Sequence, residues 1–186
     1  MDDHGASTHR VFALRLSDGA VLDGWPVDLD TALQARGIAF ASRLENQRGA
    51  LALIGGRLYI PFGGNFGDCD KYHGAVVGVA TDTGQIFGAW MTRARKSGIW
   101  APGGIVWDGR SLFVATGNAV DGQRWGDQEA VIRLSPDLHQ STDPEDFFAP
   151  VNWRDLDNGN KEIGGSNPIP LDVPNGLHVS AIWERR

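Results

Sequence analysis

The sequence has little cysteine, little positive charge and no long apolar run. Cys69 is the only cysteine among 186 residues, which excludes an internal disulfide and a multi-cysteine metal site. No segment approaches the roughly 20 consecutive apolar residues of a membrane-spanning helix. The formal net charge is −6, with 23 Asp and Glu against 17 Lys and Arg, so the chain lacks the positive surface of a general nucleic-acid binder.

Targeting and catalytic patterns are also missing. The first ten residues, MDDHGASTHR, are acidic and polar, whereas a secretory signal has a basic start and an apolar core. The sequence therefore predicts no signal peptide within this chain and leaves its localisation unknown. It contains no HExxH pair, no P-loop lysine and no GxSxG elbow. We expect the five histidines to be surface or loop residues.

Two pairs of carboxylates are spaced as in calcium loops. Asp68 and Asp70 are two residues apart, as are Asp155 and Asp157, and glycines lie close to both pairs. Neither pair completes an EF-hand ligand set. Asx-turn capping explains both pairs, and we predict no metal site.

Glycine, proline and tryptophan are abundant, with 25, 9 and 7 residues respectively. Such a composition indicates many turns between short segments that carry large aromatic anchors, which favours β structure. The best helical candidate, residues 30–47, is interrupted by Gly37 and has no continuous apolar stripe. We expect a loop there, with one helical turn.

Two sequence patterns recur and alternate along the chain. The first is a strand, a tight polar turn and a second strand, in VFALRLSDGAV from Val11, VVGVATDTGQI from Val76 and EAVIRLSPDLH from Glu129, at spacings of 65 and 53. The second is a strand that ends in small residues, in LYIPFGG from Leu58, LFVATGN from Leu112 and LHVSAIW from Leu177, at spacings of 54 and 65. Each repeat unit contains both patterns, as a four-stranded antiparallel blade does.

The predicted fold is therefore all-β, a partial β-propeller with about two full blades and two half-blades. We divide this single domain into the end of one blade plus a loop (1–44), two blades (45–97 and 98–150), and a loop with the start of another blade (151–186). A closed propeller needs about four to eight blades, so we expect a fragment. Its last nine residues, HVSAIWERR, depart from the repeat, and its open blade edges invite self-association.

The units that end at Trp25 and Trp90 resemble those of bacterial pyrroloquinoline-quinone-like β-propeller repeat proteins. The resemblance extends to QRGALALIGGRLYIPFGGNFGDC, SGIWAPGG, FVATGN and DLDNGNKEIGGSNP, and it implies a periplasmic or extracellular full-length parent. Quinoprotein dehydrogenases of this type hold their cofactor with a tryptophan platform, Arg and Asn contacts, an adjacent-cysteine disulfide and a calcium-binding Glu, Asn and Asp set. Because Cys69 is alone, we predict no cofactor for this chain.

The function expected is a non-catalytic binding or scaffold surface for a protein or a small ligand on the loop face of the propeller. One alternative is a fragment of a quinoprotein oxidoreductase, with pyrroloquinoline quinone and calcium bound by missing blades. Another is a small independent β-sandwich-like binding module.

Residues in or beside the predicted loops are the candidates for this ligand face. They are Trp100, Trp125, Trp153, Tyr72, His73, Asp68 and Asp70. Trp25, Trp90 and Trp107 end strands or precede turns, so we expect them to pack between blades.

Overall fold

The computed structural model describes residues 7–65, 71–119, 122–172 and 178–181. In this part the strands are β1 (Arg10–Val11), β2 (Val27–Asp28), β3 (Glu45–Asn46), β4 (Ala52–Ile54), β5 (Arg57–Gly64), β6 (Ala75–Ala80), β7 (Ile86–Met91), β8 (Val106–Trp107), β9 (Leu112–Thr116), β10 (Ala130–Leu134), β11 (Phe147–Phe148), β12 (Ile169–Asp172) and β13 (His178–Ala181). Two short α-helices, α1 (Leu29–Gln34) and α2 (Trp153–Gly159), and the 3-10 turns Pro144–Asp146 and Ile163–Gly165 lie between strands.

Two antiparallel meanders of four consecutive strands form the centre of the structure. The first is β4-β5-β6-β7, with β3 pairing with the far end of β5, and the second is β8-β9-β10-β11. On either side lie two-stranded sheets, β1-β2 and β12-β13. The sequence prediction of an all-β partial propeller, with two full and two half blades, is confirmed.

The spacing of 65 residues predicts the register of the first hairpin. Leu14 bridges Val21, and 65 residues later Val79 pairs with Ile86. The turn glycines Gly19 and Gly84 correspond and have φ angles of 71° and 68°, a conformation that glycine adopts without a steric penalty. The two hairpins are therefore equivalent in structure as well as in sequence.

The third copy of this pattern is displaced from its predicted alignment. Leu58 pairs with Val79 and Leu112 pairs with Leu134, so Leu134 corresponds to Val79, a spacing of 134 − 79 = 55 rather than the expected 53. The reason is local: Glu129 has a φ of 50° and precedes β10, so the polar residue at the start of the sequence match does not belong to the strand.

The two larger hydrophobic clusters of the described residues each form a layer between neighbouring blades. One face of the first meander packs against the N-terminal segment through residues that include Val27, Leu29 and Leu33. The other face packs against the second meander, with Tyr59, Val76 and Trp90 on one side and residues of β9 and β10 on the other. Trp90 thus packs between blades, as expected.

Helices contribute little to the fold. α1 begins after Asp28, whose side chain accepts a hydrogen bond from Thr31 N, a typical N-cap. It accounts for the single helical turn expected in residues 30–47. α2 was not expected, because its sequence, WRDLDNG, has the composition of a loop. No helix in the described ranges has the length and apolar character needed to cross a membrane.

Candidate functional site

The long connections between strands leave the two meanders at one end. Because consecutive strands are antiparallel, the end of β5, the start of β6 and the end of β7 lie together, as do the end of β9 and the start of β10. We call this the loop end. Tyr72, His73, Trp100 and Trp125 all belong to connections at this end. Trp153 is the first residue of α2, whereas Asp68 and Asp70 lie outside the described residues.

The strand that pairs with the outer side of β5 in the first meander, opposite β6, is interrupted at the loop end. Glu45 and Asn46 of β3 pair with Gly64 and Gly63, and β4 resumes the pairing at Ala52, opposite Tyr59. Between these two pairings, residues 47–51 lie opposite residues 60–62 of β5. Five residues therefore face three, and residues 47–51 form a bulge. The bulge contains the exposed side chain of Arg48.

Trp100 packs on backbone that only glycine permits at this distance. A side-chain carbon added at Gly63 would lie 2.4 Å from Cζ3 of the indole, and one added at Gly98 would lie 2.8 Å from Cζ2. The guanidinium carbon of Arg48 lies over the indole, 4.7 Å from the ring centroid, within the range of a cation–π contact. The half-buried ring is therefore held in one place, with a positive charge on it.

Tyr72 occupies the equivalent position against the next glycine. A side-chain carbon added at Gly64 would lie 2.2 Å from the Tyr72 ring. Because Gly63 and Gly64 are consecutive strand residues, they face opposite sides of the sheet, so the two aromatic rings lie on opposite sides of β5. Tyr72 is buried and does not present its ring to solvent, in contrast to Trp100.

His73 and Glu45 form a second polar contact beside these rings. His73 is half-buried and its Nδ1 lies 2.7 Å from the carbonyl oxygen of Thr92, so Nδ1 carries the proton. The backbone N–H of His73 donates a long hydrogen bond of 3.5 Å to Oε1 of Glu45. Glu45 is 4% exposed, and its Oε2 has no hydrogen-bond partner among the described residues.

Burial controls the ionisation of Glu45. Desolvation raises the pKa of its carboxyl to about 8, and the hydrogen bond from His73 offsets only part of this effect. At pH 7 this side chain is therefore mostly neutral.

A second cluster at the loop end is built on Asp127. Its carboxylate accepts hydrogen bonds from Nε and Nη2 of Arg93, and from the backbone N–H of Arg93. Burial opposes ionisation of Asp127, but these bonds, with one from Gln140, lower its pKa overall. Arg93 also lies over the ring of Trp125, 5.3 Å from its centroid. This cluster joins the end of the first meander to the start of β10.

Trp125 and Trp153 differ from Trp100 in their surroundings. Trp125 stacks on Phe147 with ring centroids 4.7 Å apart, and its Nε1 donates to the carbonyl oxygen of Gln128. The ring thus has stacking, cation–π and hydrogen-bond partners within the fold. The ring of Trp153 lies under the guanidinium of its neighbour Arg154, 5.0 Å away, in a different connection.

Serine, histidine and aspartate side chains also meet beside the end of β5, where the ring of His9 lies 5.1 Å from that of Phe62. The hydroxyl of Ser42 donates to Asp30 and lies 2.8 Å from Nδ1 of His9. In a catalytic triad histidine stands between serine and aspartate, whereas here the buried serine stands between the other two. Its hydroxyl proton is committed to Asp30, so this arrangement fixes the N-terminal strand to the loop after α1.

The described residues contain no group of three or more His, Cys, Asp or Glu side chains placed to hold a metal ion. The residues that sequence reasoning missed are Arg48 and Glu45. Both lie in a stretch interpreted as loop or as the start of an ordinary strand. The available sequence signal was the pair Gly63 and Gly64, because two consecutive glycines in a strand leave room for large side chains to pack on the backbone.

Comparisons with known proteins identify the fold. No family model matches the chain, and no curated protein matches it. Solved structures do match it, and two of them are described next. The quinohemoprotein alcohol dehydrogenase from Comamonas testosteroni has a TM-score of 0.65 at 16% identity over 93% of this chain. A quinohemoprotein alcohol dehydrogenase from Pseudomonas putida HK5 has a TM-score of 0.64 at 13% identity over 96% of this chain.

The chain spans 29% and 30% of the length of these two proteins. The TM-scores establish a common fold, whereas identities this low leave the activity open. The chain therefore has the fold of part of a quinoprotein-type β-propeller, as the repeats in its sequence predict.

Proposed function

We propose that this part of the propeller is a non-catalytic binding surface, and that it binds a small, planar, anionic ligand at Arg48 and Trp100. The observation that carries the proposal is the exposed guanidinium of Arg48 over an indole that two glycines hold in place. An aromatic face supplies stacking area and arginine supplies charge-assisted hydrogen bonds to carboxylate or phosphate groups.

Preorganisation supports binding at this position. The ring of Trp100 rests on backbone rather than on mobile side chains, so little conformational entropy remains to be lost when a ligand stacks on it. Glu45 lies three residues from Arg48 and is mostly neutral at pH 7 because its pKa is about 8. Anion binding should therefore weaken above pH 8, where this carboxylate ionises and repels the ligand.

The second candidate function is a segment of a quinoprotein oxidoreductase, which the two solved structures favour because both are quinohemoprotein alcohol dehydrogenases. The residues present fit part of a quinone cofactor: Trp100 suits its planar ring system and Arg48 suits its negative charge. They do not supply an adjacent-cysteine disulfide, since Cys69 is the only cysteine. The described residues contain no group of three or more His, Cys, Asp or Glu side chains placed to hold calcium, so we assign no catalytic step to them.

Equilibrium dialysis tests the binding surface, with pyrroloquinoline quinone used as a planar anionic probe and not as an assigned cofactor. We expect saturable binding by the folded chain and binding at least about tenfold weaker in Arg48→Gln, because a charge-assisted bidentate contact is lost. Trp100→Leu should weaken binding similarly. Arg110→Gln, which removes an exposed arginine elsewhere, is the matched control and should bind as the parent does. Equal binding by all four proteins would refute the proposed surface.

Turnover separates the two candidate functions. The chain with quinone, calcium, a primary alcohol and a dye acceptor should reduce no more dye than quinone and calcium alone. Calcium-dependent dye reduction by the chain, abolished in Trp100→Leu, would instead establish the oxidoreductase.

A further inference from the structure

The connection between β7 and β8 begins with a turn rich in positive charge. We call residues 92–97, TRARKS, the basic turn. We propose that the basic turn is a docking surface for a short acidic segment of a partner protein, separate from the anion site at Arg48 and Trp100. Three features of the turn carry this inference, namely its exposed cations, the burial of the acids around it and its fixed backbone.

The cations belong to three adjacent connections at the loop end. They are Lys71 before β6, Arg93, Arg95 and Lys96 after β7, and Arg124 before β10. Lys96 is half-exposed and the other four are exposed. Backbone hydrogen bonds join the three connections. Lys96 N donates to the carbonyl oxygen of Tyr72, which follows Lys71, and Ala94 N donates to the carbonyl oxygen of Gly126. The five cations therefore share one region of the surface.

Few acidic groups neutralise these cations. In the described ranges 71–74, 92–105 and 122–129 the acidic residues are Asp127 and Glu129, and both are fully buried. Asp127 pairs with Arg93, whereas the other four cations have no ion pair among the described residues. Outside the five cations the chain has 17 − 5 = 12 Lys and Arg against 23 Asp and Glu. The basic turn is therefore a positive region on an acidic protein.

Both ends of the basic turn are buried and hydrogen-bonded. The hydroxyl of Thr92 accepts a hydrogen bond from Gly74 N and lies 3.0 Å from the carbonyl oxygen of Ala94. The hydroxyl of Ser97 donates to the carbonyl oxygen of Gly117, just after β9. Because connections of both meanders hold the turn, little conformational entropy remains to be lost in its backbone when a partner binds.

Charge and size point to a short acidic protein segment as the partner. Exposed guanidinium groups bind carboxylates in a bidentate geometry. A nucleic acid or an anionic membrane extends beyond the turn and would meet the acidic remainder of the chain, which repels it. A segment with a few consecutive Asp or Glu residues contacts the basic turn alone.

Equilibrium dialysis with a radiolabelled peptide of six glutamates tests the docking surface. We expect saturable binding that weakens as salt is added, because exposed ion pairs are screened. Arg95→Gln combined with Lys96→Gln should bind about threefold to tenfold more weakly, since one exposed ion pair is worth a factor of about 1.5 to 5. The full chain is used, so Asp68, Asp70 and Asp121, which lie outside the described residues, contribute to the measured affinity.

A charge-matched variant is the control for the change in net charge. Arg36→Gln combined with Arg110→Gln removes two exposed arginines elsewhere and should bind the peptide as the parent does. Circular dichroism checks that each variant is folded. Equal binding by the parent, the double variant of the basic turn and this control would refute the proposal, and so would an absence of binding at low salt.

Two further measurements identify the surface and the class of partner. Arg48→Gln should bind the peptide as the parent does, whereas a loss as large as that of the basic-turn variant would place the peptide at Trp100 and overturn the proposal. Unlabelled peptide should displace the labelled one better than a ten-nucleotide single-stranded DNA or vesicles that contain phosphatidylserine. Better displacement by the DNA or by the vesicles would overturn the assignment to an acidic protein segment.

Discussion

Glu45 should make the stability of this chain fall as the pH rises. The residue is 4% exposed, and one carboxyl oxygen has no partner among the described residues. Burial raises the pKa of the carboxyl from 4.5 to about 8. In the unfolded chain the group ionises near pH 4.5. Between these two values the unfolded state therefore releases a proton that the folded state retains, and each pH unit costs about 1.4 kcal/mol of folding free energy.

Over the interval from pH 5 to pH 7.5 this loss amounts to about 3 kcal/mol from Glu45 alone. The stability that neutral Glu45 contributes to the folded chain is fully present below pH 4.5 and is lost above about pH 8. Glu45→Gln cannot ionise and should lose this part of the pH dependence. The free energy of unfolding of the variant minus that of the parent should increase by about 3 kcal/mol between pH 5 and pH 7.5. This increase does not depend on the stability of the variant at pH 5.

Urea denaturation of parent and Glu45→Gln at pH 5, 6, 7 and 7.5 measures this difference. Glu145→Gln, which removes an exposed carboxyl, is the control and should parallel the parent. Parallel stability curves for Glu45→Gln and the parent would refute the reasoning, because they would mean that Glu45 ionises in the folded chain as it does in the unfolded one.

Two further substitutions test the loop end. Gly64→Ala should lower the free energy of unfolding by about 1–3 kcal/mol through overpacking, because the added carbon would lie 2.2 Å from the Tyr72 ring; Gly165→Ala, with nothing within 4 Å, should cost much less in the same thermal denaturation assay. Asp127→Asn should destabilise by about 2 kcal/mol at pH 7, since the bidentate contact with Arg93 is lost. Because the pKa of Asp127 is lowered from 3.8, this difference between variant and parent should persist above pH 3.8 and shrink as the pH falls below it. A constant difference down to pH 2 would contradict it.

The strands and turns could be predicted from the sequence because each repeat carries its own turn chemistry. SDG and DTG place glycine where the chain needs a positive φ, at Gly19 and Gly84, and this fixes the register of both hairpins. The third repeat has SPDL in the same place, a turn without glycine and of different length. Without a turn glycine to anchor it, the predicted alignment wrongly counted Glu129 as the first strand residue and was off by two residues.

The loop end could be predicted only in outline. The tryptophans of the connections were visible in the sequence, but which of them packs within the fold depends on partners distant in the chain, such as Phe147 for Trp125. Arg48 and Glu45 could not be found from their own segment, because their roles follow from a bulge and no local pattern marks one in ENQRGAL. The signal lay in the distant glycines Gly63 and Gly64. The placement of ligand-face residues remains a prediction.

The bulge at residues 47–51 has a consequence for solubility. An uninterrupted edge strand would expose a row of regularly spaced N–H and C=O groups to which another chain could add. In this chain the row is split into a two-residue piece and a three-residue piece that are out of step by two residues. A foreign strand in register with one piece is out of register with the other, so the feature that exposes Arg48 also protects this edge from aggregation.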